Sequence, residues 1–164
     1  MIKLVPMSEE EFQAYYTEAV RSYAAEHVKS GRWQPETAEQ EAKREYDALL
    51  PQGVATPNQF LFTIQEEESG TPVGMIWYAL RQSGPKQIAF IYDASIKPEH
   101  RRKGYAQAAF EAVEKLARAQ GLSAIDLHVF GHNQAAIALY QKIGFQATNL
   151  LMRKPLDQAD SPEG

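Results

Sequence analysis

Ile96-Lys-Pro-Glu-His-Arg-Arg-Lys-Gly-Tyr-Ala106 follows a run that reads as a strand, Gln87 to Ile96, and leads into one that reads as a helix, Tyr105 to Gln120. The helical reading rests on apolar residues at Tyr105, Ala109, Ala112, Val113, Leu116 and Ala117. When a strand feeds a short turn that opens a helix, the first backbone N–H groups lack internal partners and the aligned peptide dipoles leave partial positive charge beside them. Such a junction binds anions. Arg101, Arg102 and Lys103 add full charges there, while Gly104 and Ala106 carry too little side chain to obstruct a ligand approaching the backbone. These are the requirements of a pyrophosphate. By itself the turn is equally compatible with a solvated helix start, because short glycine motifs are common by chance.

The whole chain narrows the choice. At 164 residues it suits one domain, residues 1–156, followed by a polar, Pro-containing tail over 157–164 expected to be disordered. A formal charge of −4 argues against a nucleic-acid-binding protein, so a local basic turn points to a small anionic ligand. There is no cysteine, which excludes disulfides, thiolate metal sites and a cysteine nucleophile. No apolar run approaches a signal-peptide core or the ~18 residues of a membrane span, so the expectation is a cytoplasmic protein without membrane contact.

Ahead of the turn, Ile2 to Val5 reads as an opening strand, and Ser8 followed by Glu9, Glu10 and Glu11 as a helix start. Phe12, Tyr16, Ala19, Tyr23 and His27 recur at helical spacing until Gly31, and a second helix runs from Pro35 or Glu36 to Leu50. The tyrosines of these helices and Trp33 either cover a sheet face or wall an acceptor pocket; the first is the default for aromatic side chains. Gln59 to Gln65, Val73 to Leu80 and Gln87 to Ile96 form an antiparallel meander. Beyond the long helix, Ala124 to Phe130 reads as a strand parallel to its predecessor. Asn133 caps another helix that ends at Gly144, and Gln146 to Lys154 reads as a last strand.

Arg101-x-x-Gly104-x-Ala106 is thus followed, one helix and one strand later, by Asn133-x-x-Ala136-x-x-Leu139-Tyr140-x-x-x-Gly144-Phe145. The pair resembles the two motifs of the Gcn5-related N-acetyltransferase (GNAT) superfamily in order and spacing, most closely over Ile88 to Lys154, and the N-terminal part looks like an uncharacterised bacterial subgroup. The resemblance implies an α/β fold, a mixed sheet of about six or seven strands with four helices, splayed between the fourth and fifth strands. Acetyl-CoA is then the cosubstrate. The resemblance assigns its pyrophosphate to the backbone of Arg101, Arg102, Lys103, Gly104, Tyr105 and Ala106. It assigns the pantetheine arm to the strand edge at Ala94, Ser95 and Ile96, where amides in a partly dry cleft need partners. Asn133 and Ala136 belong to the same cofactor set, although Asn133 equally suits a plain helix cap. Family members often carry Gly where this chain has Arg102.

The resemblance places Tyr140 at the cofactor's sulfur. A phenol of pKa ~10 can donate a hydrogen bond or a proton to a leaving thiolate of pKa ~8.5. The N–H of Ile96 is the expected donor to the reacting carbonyl oxygen. His128, five residues before Asn133, stands where the ribosomal-protein acetyltransferases of the superfamily carry a glutamate base, and its ordinary pKa of ~6.5 suits that work. Phe90 replaces the glutamate of the histone-type members. Asp93 and Tyr92 are further candidates for the base, and Asp93 also suits a structural carboxylate.

His128 and His132 are four apart but not on one helical face, and no Gly-Lys-Ser/Thr loop or Gly-x-Ser-x-Gly elbow occurs, so metal, nucleotide-hydrolase and serine-nucleophile readings are set aside. What stands is an acetyl-CoA-dependent N-acetyltransferase that moves an acetyl group to a primary amine by direct attack in a ternary complex. The alternative from another class is a non-catalytic acyl-CoA-binding or regulatory module. The acceptor, a small molecule or a peptide N-terminus, is open, and so is a homodimer.

Overall fold

The computed structural model describes residues 1–157. Its contacts divide it into two units, Met1–His128 and the segment from Val129 onward. The first unit holds a five-stranded sheet of order β1-β2-β3-β4-β5: β1 Ile2–Pro6, β2 Gln59–Glu66, β3 Pro72–Ser83, β4 Lys86–Ile96 and β5 Ile125–Leu127. The first four strands pair antiparallel and β5 lies parallel to β4. The α/β class, the meander and the parallel last pair are as the sequence indicates. Pro6 falls on β1, an edge strand, where its missing N–H is tolerated.

Helix α1, Glu9–Lys29, starts from a complete capping box: Glu11 N–H donates to Ser8 Oγ at 3.1 Å and Ser8 N–H to Glu11 Oε1 at 3.0 Å. The other carboxylate oxygen of Glu11 accepts from the buried Thr63 Oγ1 on β2 at 2.7 Å, which ties the helix start to the sheet. Helix α2, Ala38–Leu49, begins later than the Pro35 or Glu36 start expected, because Thr37 and Ala38 N–H groups close a turn on Gln34 first.

Alternation along paired strands puts Leu61, Thr63, Met75 and Trp77 on one face, under α1 and the α1–α2 pair. Phe12, Met7 and Leu50 complete that core, with Tyr15, Tyr16, Tyr46 and Tyr92 packed against it. Val20, Ala24, Ala38 and Ala42 form a second cluster where the two helices meet. Most of the tyrosines therefore cover the sheet, the default for this composition. Helix α3, Tyr105–Ala119, contacts β1 and β4 and buries Ala109, Phe110, Val113 and Ala117. Tyr78, on the opposite sheet face from Trp77, reaches the end of α3 through Tyr78 Oη and Gln120 Oε1 at 3.2 Å.

In the second unit α4, Gln134–Lys142, is capped by Asn133 and followed by Gly144 at φ +106°. Two expectations are corrected. The strand predicted over Ala124 to Phe130 is formed only at Ile125–Leu127, its ladder ending opposite Ile91. The strand predicted over Gln146 to Lys154 is not formed among the described residues, so the strands number five rather than six or seven. Leu150, Leu151 and Met152 stand in a row, which in a strand would need cover on both faces, and no ladder pairs with them among the described residues. The tail expected over 157–164 lies outside the described residues except for Asp157.

Candidate functional site

The register of β3 on β4 shifts once: Trp77 pairs with Asp93 and Tyr78 with Ile91, leaving Tyr92 as an extra residue. Such a bulge bends a strand and re-aims its side chains. Here it also marks where β4 parts from β5, since the parallel ladder covers only Ala89, Phe90 and Ile91. From Tyr92 to Ile96, β4 is paired on the β3 side alone. Lys97 N–H donates to Val73 O at 2.8 Å, so alternation turns the backbone groups of Lys97 and Ser95 toward β3 and those of Ala94 and Ile96 toward the unpaired edge. Of the expected Ala94, Ser95 and Ile96 set, the first and last face that edge; with the Ala94 N–H engaged by the Asp93 carboxylate and the Ile96 carbonyl by Arg101, they offer a ligand the Ala94 carbonyl and the Ile96 N–H. Ser95 presses on β3, where a Cβ on Gly74 would fall 2.2 Å from its carbonyl oxygen.

The strand runs into a single 3-10 turn, Pro98–His100, and then into the basic loop. Arg101 Nε donates back to Ile96 O at 3.0 Å, fastening loop to strand. Arg102 takes φ +62° and Gly104, the N-cap of α3, takes φ +80°. Alternating left-handed residues curl a chain so that successive N–H groups converge. Among the described residues, the N–H groups of Arg102 through Gln107 have no hydrogen-bond acceptor. Arg101, Arg102 and Lys103 are exposed around them. Tyr105 contributes only backbone, because its buried ring is held by Tyr105 Oη donating to Glu66 Oε1 at 2.7 Å. This donor set, a glycine-flanked curl of amides under three cations, fits a pyrophosphate, and the unpaired edge two residues upstream fits an amide-bearing arm.

The bulge also places two neighbouring side chains, Tyr92 and Asp93, on the α1–α2 face, which plain alternation would forbid. Tyr92 stacks on Trp77 with centroids 4.7 Å apart, and the Asp93 carboxylate accepts from Tyr15 Oη at 2.7 Å. Burial pushes the Asp93 carboxyl up from its ordinary range, against the opposing pull of the Tyr15 hydroxyl and the Ala94 N–H. Burial, and then the Asp93 charge, push the Tyr15 and Tyr46 phenols well above theirs, so both stay protonated. Phe90 lies 5.0 Å from Tyr92, and the exposed Arg81 guanidinium lies 4.3 Å above Phe90. Trp77 Nε1 donates to Gln59 Oε1 at 2.7 Å. Sequence reasoning named Asp93, Tyr92 and Phe90 but missed Tyr15, Tyr46 and Arg81. Tyr15 sits three residues after Phe12, the one signal that it shares the buried side of α1.

His128 is exposed, one residue beyond β5. In the second unit Asn133 accepts from the Ala136 N–H at 3.3 Å, so its side chain acts as the helix cap. Tyr140, one turn beyond Ala136 on α4, lies 5.6 Å from the Phe145 ring, and Phe145 N–H donates to Tyr140 O at 2.9 Å. The structure thus brings Ala94 through Ala106 together on one strand–turn–helix, and Asn133, Ala136 and Tyr140 together on one helix.

The model of the Acetyltransferase (GNAT) family matches residues 12–145. The chain is 42% identical over 155 residues to the uncharacterised N-acetyltransferase YycN of Bacillus subtilis (strain 168), covering 94% of this chain and 99% of that one. The crystal structure of YycN superposes with a TM-score of 0.85 over 95% of this chain and 99% of its own. A second protein of that organism, the uncharacterised N-acetyltransferase YdgE, is 35% identical over 93% of this chain and 97% of its own. With the motif-bearing region inside the matched span and a relative of this identity running nearly its full length, the chain belongs to the GNAT family of acetyltransferases.

Proposed function

We propose that the protein is an acetyl-CoA-dependent N-acetyltransferase that moves the acetyl group to a primary amine by direct attack in a ternary complex. The observation that carries this reading is the continuous run from the unpaired β4 edge at Ala94 and Ile96 to the curl of open N–H groups at Arg102 through Ala106. Acetyl-CoA, when bound, supplies an activated thioester. The amides of the curl hold its diphosphate, with Arg101, Arg102 and Lys103 neutralising charge. The Ile96 N–H faces the edge where the reacting carbonyl oxygen would develop charge. Tyr140 donates a hydrogen bond or proton to the departing sulfur, and Asn133 and Ala136 set the start of its helix. His128, Asp93, Tyr92 or a water is the candidate to take the amine's proton. Family membership and the relatives' N-acetyltransferase names support the reaction class.

The test is release of free thiol from acetyl-CoA over a panel of amines. Amine-dependent release is expected, falling about ten-fold or more in Tyr140→Phe with the affinity for CoA kept. Binding of CoA without release from any amine would favour the non-catalytic acyl-CoA-binding module instead.

A further inference from the structure

The described part of the second unit, residues 129–157, is shorter than the ~40 residues below which a core usually needs disulfides, a metal or oligomerisation. The chain has no cysteine, and no cluster among the described residues could hold a metal ion. None of the nine residues of α4 is buried, although it carries Ile137, Leu139 and Tyr140, and a helix this short is marginal in water without packing. Leu150, Leu151, Met152 and Leu156 are 79%, 92%, 85% and 87% exposed. At roughly 120 Å² each they leave on the order of 500 Å² of apolar surface open, near the top of what a lone soluble protein shows. The first unit has the matching deficiency, because β5 ends the sheet. Ala89 N–H donates to Ala124 O at 3.0 Å, so alternation turns the backbone groups of Ala124 and Asp126 toward β4 and those of Ile125 and Leu127 toward the free side. All three residues of β5 are only half-buried, and such an edge accepts an added strand.

Building on the transferase reading, we propose that two copies of this chain exchange their second units. The segment 148–154 of each copy adds to the β5 edge of the other and brings α4 with it. Tyr140 of the partner subunit and Asn133 of the partner subunit then complete the site begun by the β4 edge and the amide curl. A second copy is the occupant because one chain carries both the edge that lacks a strand and the apolar segment that lacks a ladder. A two-fold axis satisfies both at once and closes the assembly. A different partner would cover the edge and leave Leu150, Leu151 and Met152 open. The area agrees: two such segments, with the surfaces that receive them, remove on the order of 2,000 Å², the size of a stable dimer interface. The exchange also accounts for three consecutive apolar residues at 150–152, since a strand received into a sheet with helices on both faces is dry on both sides. Neither copy alone then holds a complete site.

The experiment uses the full chain, which has no cysteine of its own, carrying Asp126→Cys on β5 and Asn149→Cys on the docking segment. A bismaleimide linker of ~10 Å, about two strand spacings, joins them. The expected product has two-chain mass on a denaturing gel and requires both cysteines, and wild type in solution has twice the 18.4 kDa of one chain by light scattering. A one-chain product, no product, or a solution mass of 18.4 kDa at micromolar concentration would overturn the exchange. Complementation reads the shared site. Ile96→Pro removes the edge N–H and Tyr140→Phe the phenol, each lowering thiol release about ten-fold or more. When the two are co-expressed in equal amounts, about half of the dimers are mixed and each of these holds one intact site, so release returns to about a quarter of wild type. Release no higher than the average of the two variants overturns the shared site. Should Ile96→Pro fail to fold, the cross-link and the mass decide. If wild type releases no thiol with any amine, a two-chain product rejects the transferase reading and keeps the exchange. Thiol release with a one-chain product keeps that reading and rejects the exchange.

Discussion

Arg102 adopts φ +62°, a left-handed conformation that costs a residue with a Cβ about 1–2 kcal/mol relative to glycine. Its retention is understandable if the guanidinium contributes to anion binding. Arg102→Gly should therefore leave the melting temperature within about 2 °C, since relief of strain is offset by the greater freedom of glycine in the unfolded chain. The same variant should bind CoA several-fold more weakly and with a shallower salt dependence, measured by calorimetric titration at two ionic strengths. Asp93 shows the opposite compromise. Its pKa in the folded state lies above the unfolded value, so the folded protein binds more protons and stability declines as pH rises from the unfolded pKa through the folded one. Asp93→Asn should flatten that part of a stability-against-pH curve obtained by urea titration; an unchanged slope would show that another group sets it. The charged turn and Gly104 were legible in sequence because their spacing is local. The Tyr15–Asp93 bond was not, because 78 residues separate its partners and no local pattern joins them.

Among the elements, β4 decides the site. Its range was legible from an apolar run bounded by Pro85 and Pro98, but the bulge at Tyr92 was not, since it arises from register against β3. Gly74 guards that register: any Cβ there would meet Ser95 O at 2.2 Å. Gly74→Val should push β4 outward, lowering the melting temperature by about 4 °C or more and weakening CoA binding together with it. Helix α1 was legible from Ser8 and the acidic residues after it, and the structure adds Thr63 as a second anchor for Glu11. The Ser8 N–H and the Thr63 hydroxyl hold the Glu11 carboxyl below its ordinary range, so its contribution is present above the unfolded pKa and fades as pH falls through the folded one. Glu11→Ala should destabilise by about 1–2 kcal/mol at pH 7 and by less near pH 3, checked by urea unfolding at both. The predicted strand over Gln146 to Lys154 failed for a reason visible only in three dimensions: an apolar run becomes a strand when a ladder receives it.

For the molecule as a whole, fold class and family followed from two motifs and the order of elements around them, whereas the bulge at Tyr92 and the Tyr15–Asp93 bond were visible only in coordinates. No helix among the described residues is long and apolar enough to cross a membrane. Ligand at about 100 times its Kd should stabilise the chain by ~2.7 kcal/mol, raising the melting temperature by roughly 5–10 °C at this length. The most direct measurement of the central claim is a crystal structure of the protein soaked with CoA. The account predicts the diphosphate seated on the N–H groups of Arg102 through Ala106 and the pantetheine arm beside Ala94 and Ile96. A diphosphate bound elsewhere, with those amides still facing solvent, would contradict it.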